Sequence, residues 1–391
     1  MKKKISILGS TGSIGLSTFE IIDKKKNYFK VELLAANKNY KLICKQILKY
    51  NPNFFIISNF KIYKKIKLKF KNKKIKIFNS FEDIKKIKTD ITISAIPGID
   101  GLYPTILLTK FTKKILIANK ESVICGWQII LKVAKKYKTK IIPIDSEHFS
   151  IFELIKFHKS SEIKKIYITA SGGPFLNLKR NKIKNIKPHM ALSHPRWKMG
   201  RKISIDSATM MNKIFECIEA QKIFNIPEKK IEIVIHPESL VHAIVELKNG
   251  LIKFIYHETS MIIPLANAIF EGDLNIEKYY YKKNNNNKIF NLTFKKPDSN
   301  IFPTLKIKDR ANEHSSTPII VNACNEIFVD QFLKQKVPFF AIYNLVKSIL
   351  NDRNYKKYAV KKAKNINQIL LIDTWAKNFT KQKLKKYEVK S

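Results

Sequence analysis

Short apolar runs alternate with amphipathic stretches along the first third of the chain. Runs typical of buried strands are Ile5–Leu8, Val31–Ala36, Ile91–Ile96, Ile115–Ala118 and Ile141–Ile144. Helix-like segments separate them, beginning with residues 16–23, and the Lys/Ile-rich stretch 61–77 predicts a helix and a strand. Strands that alternate with helices predict a parallel, doubly wound α/β sheet, in which polar residues at the carboxyl ends of the strands face the ligand crevice.

The remainder of the chain has a mixed pattern that becomes helical. Ile166–Thr169 and Ile231–Ile235 predict further strands, and the chain is helix-like from Arg310 to Trp375. The tyrosines and asparagines of Tyr279–Lys288 predict a linker or exposed loop. We therefore predict a Rossmann-like domain over residues 1–148, a central α+β domain over 149–278, a linker over 279–306 and a C-terminal helical domain over 307–391.

A glycine-rich stretch joins the first predicted strand to the first helix. Gly9, Gly12 and Gly15 have the spacing G-x-x-G-x-x-G, a variant of the dinucleotide fingerprint. Glycines there allow a tight turn and close approach to a pyrophosphate, although a tight connection without a ligand is the alternative. The second strand is followed by Asn37-Lys-Asn39 and not by an acidic residue, which favours NADP over NAD unless Lys38 is a chance lysine.

Residues 194–216 begin as a loop and continue as regular structure. Ile203–Asp206 alternates over four residues and predicts a short strand. Ser207–Ala220 predicts a helix, with Asp206 or Ser207 as its N-cap.

Three polar residues of that predicted helix suggest chemistry. Asn212 and Glu216 are four residues apart and share a face, with Lys213 beside them. A helix start with Ser, Asn and Lys suits a phosphate, and the glutamate suits a metal ion. A solvated polar helix is the alternative interpretation.

Polar residues also follow two strands of the predicted parallel sheet. The strand-end rule places Lys120, Asp145 and Glu147 in one region. If the chain is extended there, the two carboxylates project to the same side and can share Mg²⁺ or Mn²⁺, with Glu216 as a third oxygen ligand. A polar turn that caps the next helix is an equal alternative.

Two further stretches carry candidate ligand groups. Ser171-Gly-Gly173 exposes a hydroxyl and backbone N–H groups, which is typical of an anion nest, with a plain turn as the alternative. Ser239 and His242 could line the site, although a hydrogen-bonded core histidine explains His242 equally well.

Composition changes the picture less than the net charge of +44 suggests. Only five of the 75 basic residues are arginine, and the lysines are spread along the whole chain, which indicates a coding bias and not a nucleic-acid-binding patch. Such a surface still attracts anionic substrates and NADP. The four cysteines form no CxxC pair, and no apolar run has transmembrane length, so we predict a cytoplasmic enzyme without a membrane or specific nucleic-acid partner.

Several motifs together resemble one family. They are Gly9-Ser-Thr-Gly-Ser-Ile-Gly15, Ala118-Asn-Lys-Glu-Ser122, Pro143-Ile-Asp-Ser-Glu-His148, Ser171-Gly-Gly-Pro-Phe175, His194–Lys213 and His236-Pro-Glu-Ser239. Their order and spacing resemble the 1-deoxy-D-xylulose 5-phosphate reductoisomerase family over nearly the whole chain. The resemblance implies a homodimer that uses NADPH and Mg²⁺ or Mn²⁺ to rearrange and reduce a sugar phosphate to 2-C-methyl-D-erythritol 4-phosphate.

The resemblance also assigns roles to residues by matching position. The implied metal ligands are Asp145, Glu147 and Glu216. The implied substrate contacts are Lys120, Ser146, Glu147, Ser171, His194, Ser207, Asn212, Lys213 and Glu216, of which Lys120, Glu147 and His194 are the catalytic candidates. The implied NADPH contacts are Thr11, Gly12, Ser13, Ile14, Asn37, Lys38, Asn39, Asn119, Glu121 and Gly200. A loop with Trp197 and Met199 would close over the substrate.

Some positions depart from the family pattern. Asn37 replaces a glycine, which Asn can do if the position requires a positive φ. Ser260 and Ile262 stand where the family has an acidic residue and an arginine, and Phe270-Glu271 replaces a Trp-Pro pair, which affects local packing or the dimer surface.

Three other functions remain as alternatives at this point. An amino-acid semialdehyde dehydrogenase would share the two-domain plan but leave the three carboxylates unexplained. A basic nucleic-acid-binding protein would require clustered arginines and interleaved aromatic residues. An enzyme decayed by biased substitution is opposed by the retention of every implied ligand.

Overall fold

The computed structural model describes residues 2–84, 87–178, 180–197, 199–272, 274–279 and 291–387. Its strands are β1 Lys3–Leu8, β2 Phe29–Ala36, β3 Phe54–Ile57, β4 Lys76–Phe78, β5 Thr89–Ser94, β6 Thr112–Ile117, β7 Lys140–Pro143, β8 Ile163–Ala170, β9 Ile231–Ile235, β10 Val241–Leu247 and β11 Ile252–Tyr256. Its α-helices are α1 Ser13–Lys24, α2 Tyr40–Tyr50, α3 Phe60–Lys69, α4 Leu102–Thr109, α5 Lys120–Tyr137, α6 Ser146–Leu154, α7 Pro188–Leu192, α8 Arg201–Ala208, α9 Met211–Phe224, α10 Ile262–Phe270, α11 Thr317–Leu333, α12 Ala341–Leu350, α13 Tyr355–Ala359 and α14 Ile366–Leu384.

The chain forms two compact units. The first comprises Met1–Ser122, Gln128–Phe149 and Ser260–Asn287, and the second comprises the remaining residues. The predicted four-part division of the chain stays a prediction. Of the predicted linker over 279–306, residues 280–290 lie outside the described residues.

The first unit contains a seven-stranded parallel sheet in the order β4-β3-β2-β1-β5-β6-β7. The order reverses direction between β1 and β5, which is where a doubly wound sheet opens its ligand crevice. Ile5, Ile7 and Leu8 of β1 are fully buried, because helices cover both faces of a parallel sheet. The predicted doubly wound α/β fold is confirmed, and β3 is a strand that the sequence analysis did not identify.

Two of the departures from the family pattern, Phe270 and Glu271, lie at the carboxyl end of α10. Phe270 packs its ring against Tyr28, Phe29 and Tyr279. Glu271 forms ion pairs with Lys114 and Lys140, which project from β6 and β7. The replacements therefore build their own packing and ion pairs against the sheet.

The second unit contains a four-stranded sheet in the order β11-β10-β8-β9, with β8 and β9 parallel and β10 antiparallel to both of its neighbours. The strands β10 and β11 were not predicted. The helices α11–α14 confirm the predicted helical region at the end of the chain.

Two local predictions in the second unit are wrong. Ile203–Asp206 lies inside α8 and is not a strand, because alternation over four residues is too short to exclude a helix. The predicted helix from Ser207 to Ala220 is divided at Met210, whose φ of +62° interrupts the helical path. Asp206 and Ser207 therefore lie near the end of α8 and cap neither helix.

No helix among the described residues combines the length and apolar content needed to cross a bilayer.

Candidate active site

The glycine-rich loop is shaped by close backbone contacts. Gly9 has a φ of +87°, and a Cβ there would lie 2.5 Å from the Ala95 carbonyl oxygen. A Cβ on Gly15 would lie 2.6 Å from the Gly9 carbonyl oxygen, so the first turn of α1 packs directly on the loop. The turn leaves the amino end of α1 at the carboxyl end of β1, the position at which doubly wound sheets bind a pyrophosphate.

A buried pair that the sequence analysis missed holds this loop. Ser10 Oγ donates to Gln46 Oε1 at 2.7 Å, and Gln46 Nε2 donates to the Ser10 carbonyl oxygen at 2.8 Å. Both residues are buried, and Gln46 belongs to α2. The loop is thereby fastened to the next helix, which preorganises Thr11, Gly12, Ser13 and Ile14 without a ligand.

The residues after β2 lie at the surface. Asn37, Lys38 and Asn39 are exposed, and Asn39 Oδ1 caps α2 by accepting from the Leu42 N–H at 3.1 Å. Asn37, which is described, is not among the residues with positive φ. Its replacement of glycine therefore needs no left-handed backbone, and Lys38 is free of side-chain crowding at this surface.

The carboxyl ends of β6 and β7 carry a compact polar group. Lys120 Nζ lies 2.9 Å from Asp145 Oδ2, and His148 Nδ1 lies 3.3 Å from Asp145 Oδ1. Burial acts to raise the pKa of Asp145, but the Lys120 ammonium and the contact with His148 outweigh it and hold that pKa well below its ordinary value. Asp145 is therefore an ionised carboxylate, as a cation ligand must be.

The expected extended geometry of Asp145 and Glu147 is wrong. Glu147 lies in the first turn of α6, and its N–H is 3.3 Å from Asp145 Oδ1, so Asp145 caps this turn. Ser146 Oγ donates to Glu147 Oε2 at 2.6 Å. Asp145 thus caps the turn, and a carboxylate oxygen of each residue lies within 4.8 Å of one of the other, so the capping role and a shared cation are compatible.

Asn119 ties two strand ends together. Its Nδ2 donates to the carbonyl oxygens of Ile96 and Gly98, and its Oδ1 caps α5 by accepting from the Ser122 N–H. Glu121 is buried in the first turn of the same helix. Asn119 therefore shapes the crevice wall through its hydrogen bonds, apart from any contact with a cofactor.

In the second unit, Ser171 and His194 form a hydrogen-bonded pair at 3.1 Å. His194 Nδ1 accepts from the backbone N–H groups of Arg196 and Trp197 at 3.2 and 3.0 Å, so the ring proton of the neutral imidazole is on Nε2. Burial and the Lys213 ammonium lower the pKa of His194 to about 4. Neutral His194 therefore donates to Ser171 Oγ and leaves the Ser171 hydroxyl proton for a ligand oxygen.

The loop after β8 brings Ser171 close to α8. Gly173 has a φ of +61°, and a Cβ there would lie 3.3 Å from the Ser207 carbonyl oxygen. Ser171 Oγ also accepts from the Gly173 N–H at 3.0 Å. A cleft of about 610 Å³ opens beside this loop, lined in part by Met190 and Arg196.

The first turns of α9 bury an ion pair. Lys213 Nζ lies 2.6 Å from Glu216 Oε2, and the two side chains are only 9% and 1% exposed. Asn212 Nδ2 donates to Glu216 Oε1. A lysine and a glutamate are rarely buried unless they are paired, so each of these side chains depends on the other in the interior.

The loop before α8 ends at Gly200, which is the N-cap residue of that helix. Trp197 contacts the edge of His242 with ring centroids 6.1 Å apart, and His242 stacks on His257 at 3.8 Å. Met199 is half-buried. The predicted mobile loop thus has its aromatic residue on a buried histidine pair.

The structure pairs several of the predicted site residues within each unit. In the first unit Lys120 pairs with Asp145. In the second, Ser171 pairs with His194, and Asn212 and Lys213 both contact Glu216. Of the implied NADPH contacts, Gly200 alone belongs to the second unit. The sequence analysis missed His148 and Gln46. No pattern in the sequence shows that His148 is buried beside Asp145, and Gln46 looks like any other polar residue of a helix.

The sequence relationships agree with this geometry. Residues 5–126 match the profile of 1-deoxy-D-xylulose 5-phosphate reductoisomerase, and residues 141–224 and 258–379 match the profiles of its C-terminal domains. The 1-deoxy-D-xylulose 5-phosphate reductoisomerase of Pelagibacter ubique is 47% identical over 374 residues, which cover 94% of this chain and 96% of that protein. The chain belongs to the 1-deoxy-D-xylulose 5-phosphate reductoisomerase family.

Solved structures of reductoisomerases share the fold. A reductoisomerase in complex with NADPH, fosmidomycin and magnesium superposes with a TM-score of 0.90 at 31% identity and 98% coverage of both chains. The Zymomonas mobilis reductoisomerase in complex with NADPH gives a TM-score of 0.85 at 29% identity, covering 98% of this chain and 99% of that one. Membership of the reductoisomerase family removes the semialdehyde dehydrogenase alternative.

Proposed function

We propose that this reductoisomerase-family chain converts 1-deoxy-D-xylulose 5-phosphate to 2-C-methyl-D-erythritol 4-phosphate with NADPH and a divalent metal ion. The observation that carries the proposal is the buried Lys213–Glu216 pair, whose lysine acts electrostatically on His194, in a chain related to reductoisomerases over nearly its whole length. The pair supplies both a cation for a phosphate and a carboxylate for a metal.

The phosphate of the substrate is assigned to residues of the second unit. Lys213 supplies the charge, Asn212 an amide donor, and Ser171 and Ser207 hydroxyl donors. Neutral His194 orients the Ser171 hydroxyl through its Nε2–H. Several donors fixed before binding are what specific recognition of a phosphate monoester requires.

The donor set fits a hard divalent cation. Asp145, Glu147 and Glu216 all offer carboxylate oxygens, the ligands that Mg²⁺ and Mn²⁺ prefer, and Asp145 is held ionised. We assign metal binding to these three residues. When bound, the metal supplies Lewis-acid polarisation of the ketone and its neighbouring hydroxyl for the carbon rearrangement.

Proton movement is assigned to residues beside the carboxylates. Lys120 and Glu147 are the groups that we place next to the substrate hydroxyls, with Ser146 as a further hydrogen-bonding contact. The Lys120 ammonium, which contacts Asp145, can donate a proton, and the Glu147 carboxylate can accept one. The loop with Trp197 and Met199 excludes water, which protects the aldehyde before its reduction.

The NADPH contacts are assigned to the first unit and Gly200. The glycine-rich loop with Thr11, Gly12, Ser13 and Ile14 receives the pyrophosphate, and exposed Lys38 with Asn37 and Asn39 suits the 2′-phosphate of the adenosine end. Asn119 and Glu121 are placed at the crevice wall. NADPH supplies the hydride when bound.

A second copy of the chain is the proposed partner. Ile252, Phe254 and Tyr256 on the edge strand β11 are 62%, 47% and 44% exposed and lie on one side of the sheet. The register places Ile244 of β10 and Tyr167 of β8 on the same side. An apolar sheet face with an unpaired edge is unfavourable in water, so a twofold contact through it is the homodimer that we propose.

A reducing compartment, and specifically the cytoplasm, is the proposed location. All four cysteines are buried. Burial raises the pKa values of Cys217 and Cys324 to about 12, which keeps these thiols unreactive.

The test is NADPH oxidation, followed by absorbance, with 1-deoxy-D-xylulose 5-phosphate and Mn²⁺, with and without EDTA. Turnover that EDTA abolishes supports substrate, cofactor and metal together. Folded protein that binds NADPH but gives no turnover would reject the proposal for this chain, including the case of an enzyme decayed by substitution.

A further inference from the structure

The junction between α8 and α9 separates two parts of the proposed phosphate site. Ser207 lies near the end of α8, and Asn212 and Lys213 lie in the first turn of α9. Met210 between them is 1% exposed and has a φ of +62°. A left-handed non-glycine residue is strained and persists only where its surroundings impose it.

The first of two restraints on this junction is a buried carboxylate. Asp206 is 2% exposed and directly precedes Ser207. Its Oδ1 accepts from Asn325 Nδ2 of α11 at 2.7 Å, and its Oδ2 lies 2.9 Å from Lys202 Nζ. Asn325 is fully buried, so this hydrogen bond is shielded from water and directional.

The second restraint acts three residues later. The Thr304 hydroxyl donates to the Thr209 carbonyl oxygen, and Thr304 is 1% exposed. Thr304 lies in the 3-10 turn Pro303–Arg310, and Asn325 lies in α11, so both restraints come from the C-terminal part of the chain. On the opposite side, the Gly173 loop contacts α8 at the Ser207 carbonyl oxygen.

We propose that Asp206, Asn325 and Thr304 are positioning residues for substrate phosphate, an inference that rests on the proposed function. None of them is assigned a contact with the substrate. Successive residues of a helix point about 100° apart. Asp206 can therefore bind the C-terminal part of the chain while the side chain of Ser207 leaves the helix in a different direction. Asn325 and Thr304 fix the angle between α8 and α9, and thereby the distance between the Ser207 hydroxyl and Lys213.

The alternative is that these residues only stabilise the second unit. Matched variants separate the two possibilities. Thr304→Val removes one hydroxyl without changing shape, and Thr380→Val is its control, because Thr380 is fully buried and donates to the Ala376 carbonyl oxygen of α14. Asp206→Asn has Asp373→Asn as its control, since Asp373 is 4% exposed and pairs with Lys377 four residues on.

The readouts are KM and kcat for 1-deoxy-D-xylulose 5-phosphate, the Kd of NADPH, and the thermal midpoint of each variant. A misplacement of about 1 Å can cost about 100-fold in rate. For the smaller displacement here we expect Thr304→Val and Asp206→Asn to raise KM by about 10-fold, with NADPH affinity unchanged. Thr380→Val and Asp373→Asn should lower the midpoint by similar amounts and leave KM unchanged.

A double variant tests whether two of these residues act as a pair. Because Asp206→Ala already removes the acceptor of the Asn325 amide, Asp206→Ala/Asn325→Ala should raise KM no further than Asp206→Ala alone. The inference is overturned if the Thr304 and Asp206 variants lower the midpoint as their controls do without changing KM.

Failure of the proposed function gives a different result. In that case wild-type protein shows no turnover, and the comparison is made by titrating inorganic phosphate into each folded variant calorimetrically. Phosphate binding that weakens in the Thr304 and Asp206 variants alone supports the positioning role; equal binding in all variants, or none in the wild type, rejects it.

Discussion

Replacing Glu216 by glutamine should destabilise the protein before any ligand is added. The carboxylate is 1% exposed and lies 2.6 Å from Lys213 Nζ, so the substitution leaves a buried ammonium without its counter-charge. Breaking a buried ion pair costs about 3–5 kcal/mol, of which a hydrogen bond from Lys213 to the new amide oxygen recovers about 1 kcal/mol. We therefore expect a loss of about 2–4 kcal/mol in the free energy of unfolding.

The measurement is urea unfolding in EDTA, followed by circular dichroism, so that no metal contributes. Asp330→Asn is the control: its partner Lys334 is at 2.7 Å, but the two side chains are 49% and 55% exposed, and such surface pairs contribute about 0–1 kcal/mol. Glu216→Gln/Lys213→Met should recover part of the loss, since no charge is left unpaired. A Glu216→Gln protein as stable as the wild type, or a double variant no better than the single one, would refute the reasoning.

Three further predictions concern the cofactor, pH and assembly. Gly15→Ala places a Cβ 2.6 Å from the Gly9 carbonyl oxygen, so the loop must shift, and NADPH titration should show affinity reduced by at least about 10-fold. The pKa of His194 is lowered from 6.5 to about 4 in the folded chain, so on acidification the unfolded chain binds a proton at this histidine before the folded chain does. The free energy of unfolding should therefore fall as the pH drops from 6.5 towards 4, and it should fall less steeply in His194→Gln. A slope unchanged by that substitution would assign the pH dependence to other groups. Phe254→Lys puts a charge on the apolar face of β11, and sedimentation should show a shift from dimer to monomer; a wild-type protein that already sediments as a monomer would contradict the proposed homodimer.

The parallel sheet could be predicted because its strands are buried on both faces and therefore appear as continuous apolar runs. The strand-end rule then correctly anticipated that Lys120 and Asp145 lie close together. β3 is a continuous apolar run of the same kind, Phe-Phe-Ile-Ile, and the sequence analysis overlooked it. The roles assigned to the site residues from the resemblance stay predictions.

The second unit was harder to predict because tertiary contacts decide its local structure. Ile203–Asp206 has the alternation of a strand, yet Ser204, Ile205 and Asp206 are all buried against other elements as a helix. The left-handed Met210 is not visible in the sequence, since methionine carries no preference for that conformation. The hydrogen bond between Asp206 and Asn325 joins residues 119 positions apart, which a local pattern cannot reveal.

The Lys213–Glu216 pair has a consequence for how ligands bind. In the free protein the lysine proposed to hold the phosphate already neutralises a carboxylate proposed to hold the metal. The anion must therefore displace Glu216 from Lys213, and the cation must displace Lys213 from Glu216. Each binding event exchanges one counter-ion for another. An anion that captures Lys213 leaves Glu216 more attractive to a cation, and thermodynamic reciprocity requires that the cation increase anion affinity by the same factor. The proposed roles of these two residues thus predict that the anion and the cation bind cooperatively through a single turn of α9.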